Sequence, residues 1–451
     1  MELTAINRVY FIGIGGIGMS ALARYFVKRG CVVCGYDRTR TDLTIALEHE
    51  GILISYLDDD ASMPVCYQEK HPDTLIVYTP AIPKNSVILN YFKDNGFDLK
   101  KRSEVLGIIS KGQFCIAVAG THGKTTTSSM IAHLLTDSGY GCTAFLGGIT
   151  TNYNSNFLIG DNNVVVVEAD EYDRSFLTLH PDIAIITSMD ADHLDIYGTS
   201  EAIEASFVEF ANKVENKNNL FITKELPLEG VQCAINEDAV YKAFNVRIED
   251  GSYVFDVQTP SEIMKDLRFG LPGKHNLMNG LMAIAMAKTF GTDTDSIAKA
   301  LASFNGIRRR FSYQIKSDKL VYIDDYAHHP TEINAVHQAV RELYPNRKVL
   351  AIFQPHLFSR TRDFADGFAE SLSQFDEVFL MDIYPARELP MDGITSEWLL
   401  GKMTNSNKSI VAKNDLLAQI KASDAPIIVT IGAGDIGEMV PSIKKMLNEN
   451  I

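Results

Sequence analysis

"CIAVAGTHGKTTTSSMIAHLL", Cys115–Leu135, passes from an apolar run through Gly-Lys-Thr into a second apolar run. Strand, glycine-bearing turn and helix in that order make a phosphate-binding loop, because the turn and the helix N-terminus offer N–H donors and positive dipole to an anion. The usual G-x-x-x-x-G-K-[ST] spacing is not met. Val118 stands at the first glycine position, and Gly120 follows two residues later. Lys124 can still reach β- and γ-phosphates, and Thr125 can offer a hydroxyl to Mg2+. The reading is an ATP loop at the start of a parallel α/β domain.

Beyond the loop, "NVVVVEADEYD" (163–173) and "IAIITSMDADHLDIY" (183–197) are apolar runs that each end in acids. They present Glu168, Asp170, Glu171 and Asp173, then Asp190, Asp192, His193 and Asp195. Mg2+ takes oxygen ligands, and open parallel sheets bind at the carboxyl ends of their strands, so both clusters can face the phosphate loop. Acidic surface loops are the plainer alternative. "NLMNGLMAIAMAKTF" (276–290) reads as a helix.

Before the loop, "RVYFIGIG" (8–15), "CVVCGYD" (31–37), "ILISYL" (52–57) and "TLIVYTPAI" (74–82) alternate with helical stretches. This βα alternation implies a parallel sheet. "GIGGIG" (Gly13, Gly15, Gly16, Gly18) opens a helix, and Asp37 ends the next strand where a ribose-binding acid would stand. Alone, the motif is read as a dinucleotide site or as a site for another diphosphate. After residue 310 the pattern restarts with 320–333, 348–356, 377–385 and 426–437. A second G-x-G-x-x-G (Gly432, Gly434, Gly437) has no strand after it and reads as a tight turn rather than a ligand loop. The expected domains are 1–108, 109–310 and 311–451, each α/β.

A chain of 451 residues exceeds one hydrophobic core. Its net charge of −15 argues against broad binding to nucleic acid or anionic membranes. Six scattered cysteines, with one C-x-x-C (Cys31, Cys34) and no second Cys/His pair nearby, suggest a reducing compartment rather than zinc or redox chemistry. The apolar segment 9–26 mimics a signal peptide. Glu2, a lone Arg8 and the regular glycines argue against that reading, and no run suggests a membrane span. A cytoplasmic protein, monomeric or weakly dimeric, is expected.

"GTHGKTTT" (120–127), "EADEYDRSF" (168–176), "DADHLDIYG" (190–198), "GKHNLMNGLMA" (273–283), "RRRF" (308–311), "DDYAHHPTEI" (324–333) and "FQPHLFSRTRD" (353–363) occur in this order behind "FIGIGGIGMSALA" (11–23). Together they resemble the Mur ligases over essentially the whole chain. The resemblance implies three α/β domains: a Rossmann-like UDP-sugar domain, a central P-loop ATPase-like domain with a parallel sheet, and a Rossmann-like amino-acid domain. It implies an ATP- and Mg2+-dependent ligase joining L-alanine to UDP-N-acetylmuramate (UDP-MurNAc) through an acyl phosphate. The alternative is the sister ligase that attaches a recycled tripeptide. Neither a nucleic-acid partner nor membrane insertion is implied.

By resemblance, Gly120, Thr121, His122, Gly123, Lys124, Thr125, Thr126, His275, Asn276, Asn279, Arg310 and Asp325 bind ATP. Thr125, Glu168 and His193 hold the metal, while Lys124, His193, Arg310, Asp325 and His328 are the catalytic set. Gly13, Gly15, Gly16, Gly18, Asp37 and Arg102 bind the UDP-sugar. Arg360 and Arg362 bind the amino acid, since Leu357 replaces a family arginine associated with its carboxylate. "EYD" (171–173) replaces the commoner "ESD" and is closer to the tripeptide ligase, whereas "DADHLDIYG" favours the L-alanine ligase.

Overall fold

Five short apolar runs form the first sheet in a computed structural model that describes residues 3–190, 192, 194–386 and 388–449. These strands are β1 (Arg8–Ile12), β2 (Val32–Tyr36), β3 (Leu53–Ser55), β4 (Thr74–Tyr78) and β5 (Leu99–Lys101), in the order β3-β2-β1-β4-β5. Every pairing is parallel. Val9–Ile12 are all buried, as expected where helices cover both faces of a sheet. Strand order reverses between β1 and β4, so the glycine loop leaving β1 sits at the switch point where such sheets take ligands.

The second sheet holds β6 (Phe114–Ala119), β7 (Thr143–Thr150), β8 (Ser155–Leu158), β9 (Val164–Glu168), β10 (Ile183–Ile186), β11 (Leu220–Thr223), β12 (Val231–Ile235), β13 (Tyr241–Glu249), β14 (Ser252–Gln258) and β15 (Ile263–Phe269). From β12 inward the order is β12-β11-β10-β6-β9-β7-β8, and the other edge continues through β13, β14 and β15. β6, which leads into the phosphate loop, pairs in parallel with β9 on one side and β10 on the other. The carboxyl ends of β9 and β10, where Glu168 ends the first strand and Asp190 follows the second, therefore flank the loop. β7 and β8 form an antiparallel hairpin at the edge.

The third sheet contains β16 (Ser312–Lys316), β17 (Val321–Asp325), β18 (Val349–Phe353), β19 (Glu377–Leu380), β20 (Lys408–Ile410) and β21 (Ile427–Ile431), ordered β16-β17-β21-β18-β19-β20. Only β16 runs antiparallel.

Residue 108 lies within a helix, Arg102–Lys111, and residue 310 lies just before β16. By internal packing the chain forms two compact units, one of Met1–Asn245, Asp256–Leu267 and Met278–Phe304, the other of Val246–Phe255, Arg268–Leu277 and Asn305–Ile451. In the first, Phe11 and Phe26 share one continuous core with Phe145, Phe157 and Val165. Helix Ile17–Lys28 is buried from Met19 through Phe26, which explains its almost uninterrupted apolar sequence. No helix among the described residues is long and apolar enough to cross a membrane.

Candidate functional site

The shortened loop keeps its shape through two glycines. Gly120 has φ +135° and Gly123 has φ +84°, a conformation that side-chain-bearing residues rarely adopt. A Cβ on Gly120 would lie 2.0 Å from Thr187 Oγ1, and one on Gly123 would lie 2.7 Å from Asn279 Oδ1. Helix Lys124–Asp137 begins directly after Gly123, and its first turn carries Thr125 and Thr126, both buried. The loop is braced from β10. Ser188 Oγ accepts from His122 N–H at 2.8 Å and lies 2.9 Å from Thr121 Oγ1, while Thr187 Oγ1 donates to His122 O. Sequence reasoning overlooked Thr187 and Ser188. Their signal was two hydroxyls at the carboxyl end of the strand beside the loop strand.

Lys124 Nζ donates to Gly120 O at 2.6 Å and to Glu171 Oε1 at 2.9 Å, with Glu171 Oε2 at 2.7 Å. Burial works against the ammonium, but Glu171, Asp170 and Glu168 raise its pKa. Burial likewise pushes Glu171 up, to about 7, against the pull of Lys124. Thr125 Oγ1 donates to Glu168 Oε1 at 3.0 Å, and Gly147 N–H donates to Glu168 Oε2 at 2.8 Å. A hydroxyl and a carboxylate thus converge at the loop, an oxygen donor set that suits Mg2+. From the second cluster, Asp190 Oδ2 lies 3.3 Å from His122 Nε2. His193, expected at the metal and in the catalytic set, lies outside the described residues.

The N-terminal loop is in the same unit. Gly15 N–H donates to Asp37 Oδ2 at 2.8 Å, so the acid predicted at the ribose caps the glycine turn. Gly16 is the N-cap of helix Ile17–Lys28. Gly13 N–H joins Tyr36 O at 2.8 Å. Arg102 approaches Gly18, where a Cβ would lie 2.8 Å from its Nη1, and it donates to Asp170 Oδ2 at 3.1 Å. Arg102 thereby joins the glycine loop to the first acidic cluster.

In the second unit, Asp325 ends β17. Its two oxygens accept from Phe311 N–H at 2.6 Å and Ala327 N–H at 2.7 Å. Burial raises its pKa to about 6, although the Arg310 charge and both N–H groups favour the anion. Arg310 stacks on Tyr326 at 5.2 Å and lies 3.7 Å from Glu332 Oε1. His328 Nδ1 is 3.0 Å from Tyr326 O, and the His328 backbone N–H donates to Glu332 Oε2 at 2.8 Å. Tyr326 and Glu332, both inside the quoted "DDYAHHPTEI", organise the predicted Arg310 and His328. His275 and Asn276 also group with this unit, where Asn276 Nδ2 donates to Pro272 O at 2.7 Å. Asn279 instead packs on the phosphate loop.

Arg360 is buried in the short helix Phe358–Asp363, whereas Arg362 is half exposed and donates to Asp363 Oδ1 at 2.7 Å. Leu357, the departure noted above, is buried with φ +70°, a strained value for leucine. The second G-x-G-x-x-G is filled by protein: Cβ atoms on Gly434 and Gly437 would lie 2.4 Å from Gln354 Oε1 and Arg309 Cζ.

Three family descriptions match the chain: Mur ligase family, catalytic domain (8–114), Mur ligase middle domain (118–287), and Mur ligase, glutamate ligase domain (309–434). A UDP-N-acetylmuramate–L-alanine ligase of Flavobacterium johnsoniae is 76% identical over 451 residues, covering 100% of both chains. The crystal structure of the UDP-N-acetylmuramate–alanine ligase of Thermotoga maritima superposes with a TM-score of 0.83 at 27% identity, covering 98% of this chain and 100% of that one. A murein peptide ligase of Psychrobacter arcticus shares the fold, with a TM-score of 0.71 at 22% identity over 98% of this chain and 99% of its own.

Proposed function

This chain belongs to the Mur ligase family, and from that premise we propose that it joins L-alanine to UDP-N-acetylmuramate, converting ATP to ADP and phosphate. The observation that carries the reading is the full-length 76% identity to a ligase of that name. Supporting it is one phosphate loop at which Lys124, Thr125 and Glu168 converge.

A carboxylate does not acylate an amine, because oxide is not a usable leaving group. The acceptor carboxylate attacks the γ-phosphorus, the bond to the ADP oxygen breaks, and an acyl phosphate forms. The L-alanine amine then attacks the acyl carbon, loses a proton, and expels phosphate from the tetrahedral intermediate. Little covalent work falls to the protein, so positioning and charge neutralisation carry the rate. Lys124 holds the transferred phosphoryl, with Gly120–Gly123 cradling its neighbours. Thr125 and Glu168 would hold Mg2+, which supplies positive charge at the phosphate oxygens. The glycines Gly13–Gly18 hold the UDP diphosphate, with Arg102 at their edge. Arg310 and Asp325 are assigned to ATP, His328 to the reacting carboxylate and amine, and Arg360 to the amino-acid carboxylate. Such an enzyme acts on cytoplasmic precursors of peptidoglycan.

Phosphate release with UDP-MurNAc, ATP and Mg2+, adding single amino acids or a stem tripeptide in turn, tests the assignment. Release driven by L-alanine is expected. Release driven by the tripeptide alone would move the chain to the sister activity.

A further inference from the structure

Asn156, on β8, is fully buried and has both side-chain polar atoms engaged. Its Nδ2 donates to Ile17 O at 2.5 Å and to Ser20 Oγ at 3.0 Å, both in the first turn of the helix that leaves the glycine loop. Its Oδ1 accepts from Arg24 Nη1 on the next turn of that helix. Arg24, itself buried, turns its other edge to Glu50 through Nε and Nη2, at 2.9 and 2.7 Å. Rings pack around this network, with Tyr25 lying 5.4 Å from Phe145 and 6.4 Å from Phe157. The same β7–β8 hairpin supplies Gly147, whose N–H holds Glu168. One hairpin therefore grips the diphosphate helix at one point and the metal-binding acid at another.

A buried network with all members satisfied tolerates one arrangement, because any shift strands a polar group away from water. Phosphoryl transfer is correspondingly sensitive: a displacement of about 1 Å can cost on the order of a hundredfold in rate.

We propose that Asn156 is a positioning residue, fixing the first turn of the glycine-loop helix against the β7–β8 hairpin so that the acceptor carboxylate is presented in line with the γ-phosphate. This rests on the reading of Gly13–Gly18 as the diphosphate site. Asn156 touches the glycine loop only through Ile17 O, and with its amide fully engaged it offers no donor to either substrate, so what it sets is the spacing of the two sites.

The test is Asn156→Ala in the full chain. Turnover at saturation and the separate affinities for UDP-MurNAc and a non-hydrolysable ATP analogue are measured at a temperature where circular dichroism shows the variant folded. The expected result is a kcat lower by on the order of tenfold to a hundredfold, with each Kd within about twofold of the parent. Unchanged kcat would overturn the proposal, as would loss of UDP-MurNAc affinity with full kcat at saturation. Should Asn156→Ala not fold, Ser20→Ala removes one of the two first-turn contacts and is read by the same criteria, with a several-fold fall in kcat expected. A parent protein that fails to turn over UDP-MurNAc would instead refute the functional assignment on which the proposal rests.

Discussion

Lys124 is held by its own loop and by a buried carboxylate, so its substitution has two separable consequences. Lys124→Ala should lower ligation by on the order of a thousandfold or more, since it removes the phosphate loop's own positive charge from the transferred phosphoryl. UDP-MurNAc binding, measured by calorimetry, should survive, because Gly13–Gly18 make no use of the lysine. Substantial residual turnover in a folded variant would dissociate this loop from the chemistry. The N-terminal loop predicts the converse. A side chain at Gly15 would meet Asp37 Oδ2 at 2.8 Å and Thr44 Cγ2 at 2.7 Å, and one at Gly18 would meet Arg102. Gly15→Val and Gly18→Val should therefore weaken UDP-MurNAc far more than ATP, and loss of ATP affinity alone would reverse the two assignments. Both loops were legible as sequence because glycine spacing at a strand end has a backbone cause. The Lys124–Glu171 pairing was not, since "EADEYD" does not reveal which of its acids turns toward the lysine.

Element geometry decides between residues that sequence alone treats alike. Arg360 and Arg362 stand two apart, and residues so spaced do not share a helix face. Helix Phe358–Asp363 buries the first and leaves the second beside Asp363. Arg360→Ala should raise the KM for L-alanine by on the order of tenfold or more, the equivalent of about 1.5–3 kcal/mol for lost charge-assisted hydrogen bonds. Arg362→Ala should change it much less; equal effects would remove the distinction. The two G-x-G-x-x-G loops are alike in sequence and differ in surroundings. The first is packed by Thr79, Asp37 and Arg102, and the second more tightly by Gln354, Tyr384 and Arg309.

At the scale of the molecule, three α/β sheets were readable from βα alternation, because parallel strands buried on both faces become continuous apolar runs. β13–β15 were not: β13 and β15 mix buried with exposed positions, and the buried run of β14 is broken in sequence by Asp256. Electrostatics adds a property of the whole fold. Asp325 titrates at about 6 in the folded chain against an ordinary 3.8, so the folded state binds the extra proton between those values. Its contribution to stability is fully present below the lower value and is lost as pH rises through the upper one. Urea unfolding of the parent and of Asp325→Asn should show the parent losing stability relative to the variant from about pH 4 to about pH 7. A pH-independent difference would mean that burial does not govern this carboxyl.

On the assignment proposed above, the acceptor carboxylate is phosphorylated at the shortened loop. The most direct test of that step uses UDP-MurNAc carrying 18O in the carboxylate, turned over with ATP, Mg2+ and L-alanine. An acyl phosphate requires one labelled carboxyl oxygen to leave with each phosphate. Mass spectrometry should find 18O in the released phosphate, in proportion to its enrichment in the carboxylate. Phosphate free of label, with amide formed in equal amount, would exclude an acyl phosphate.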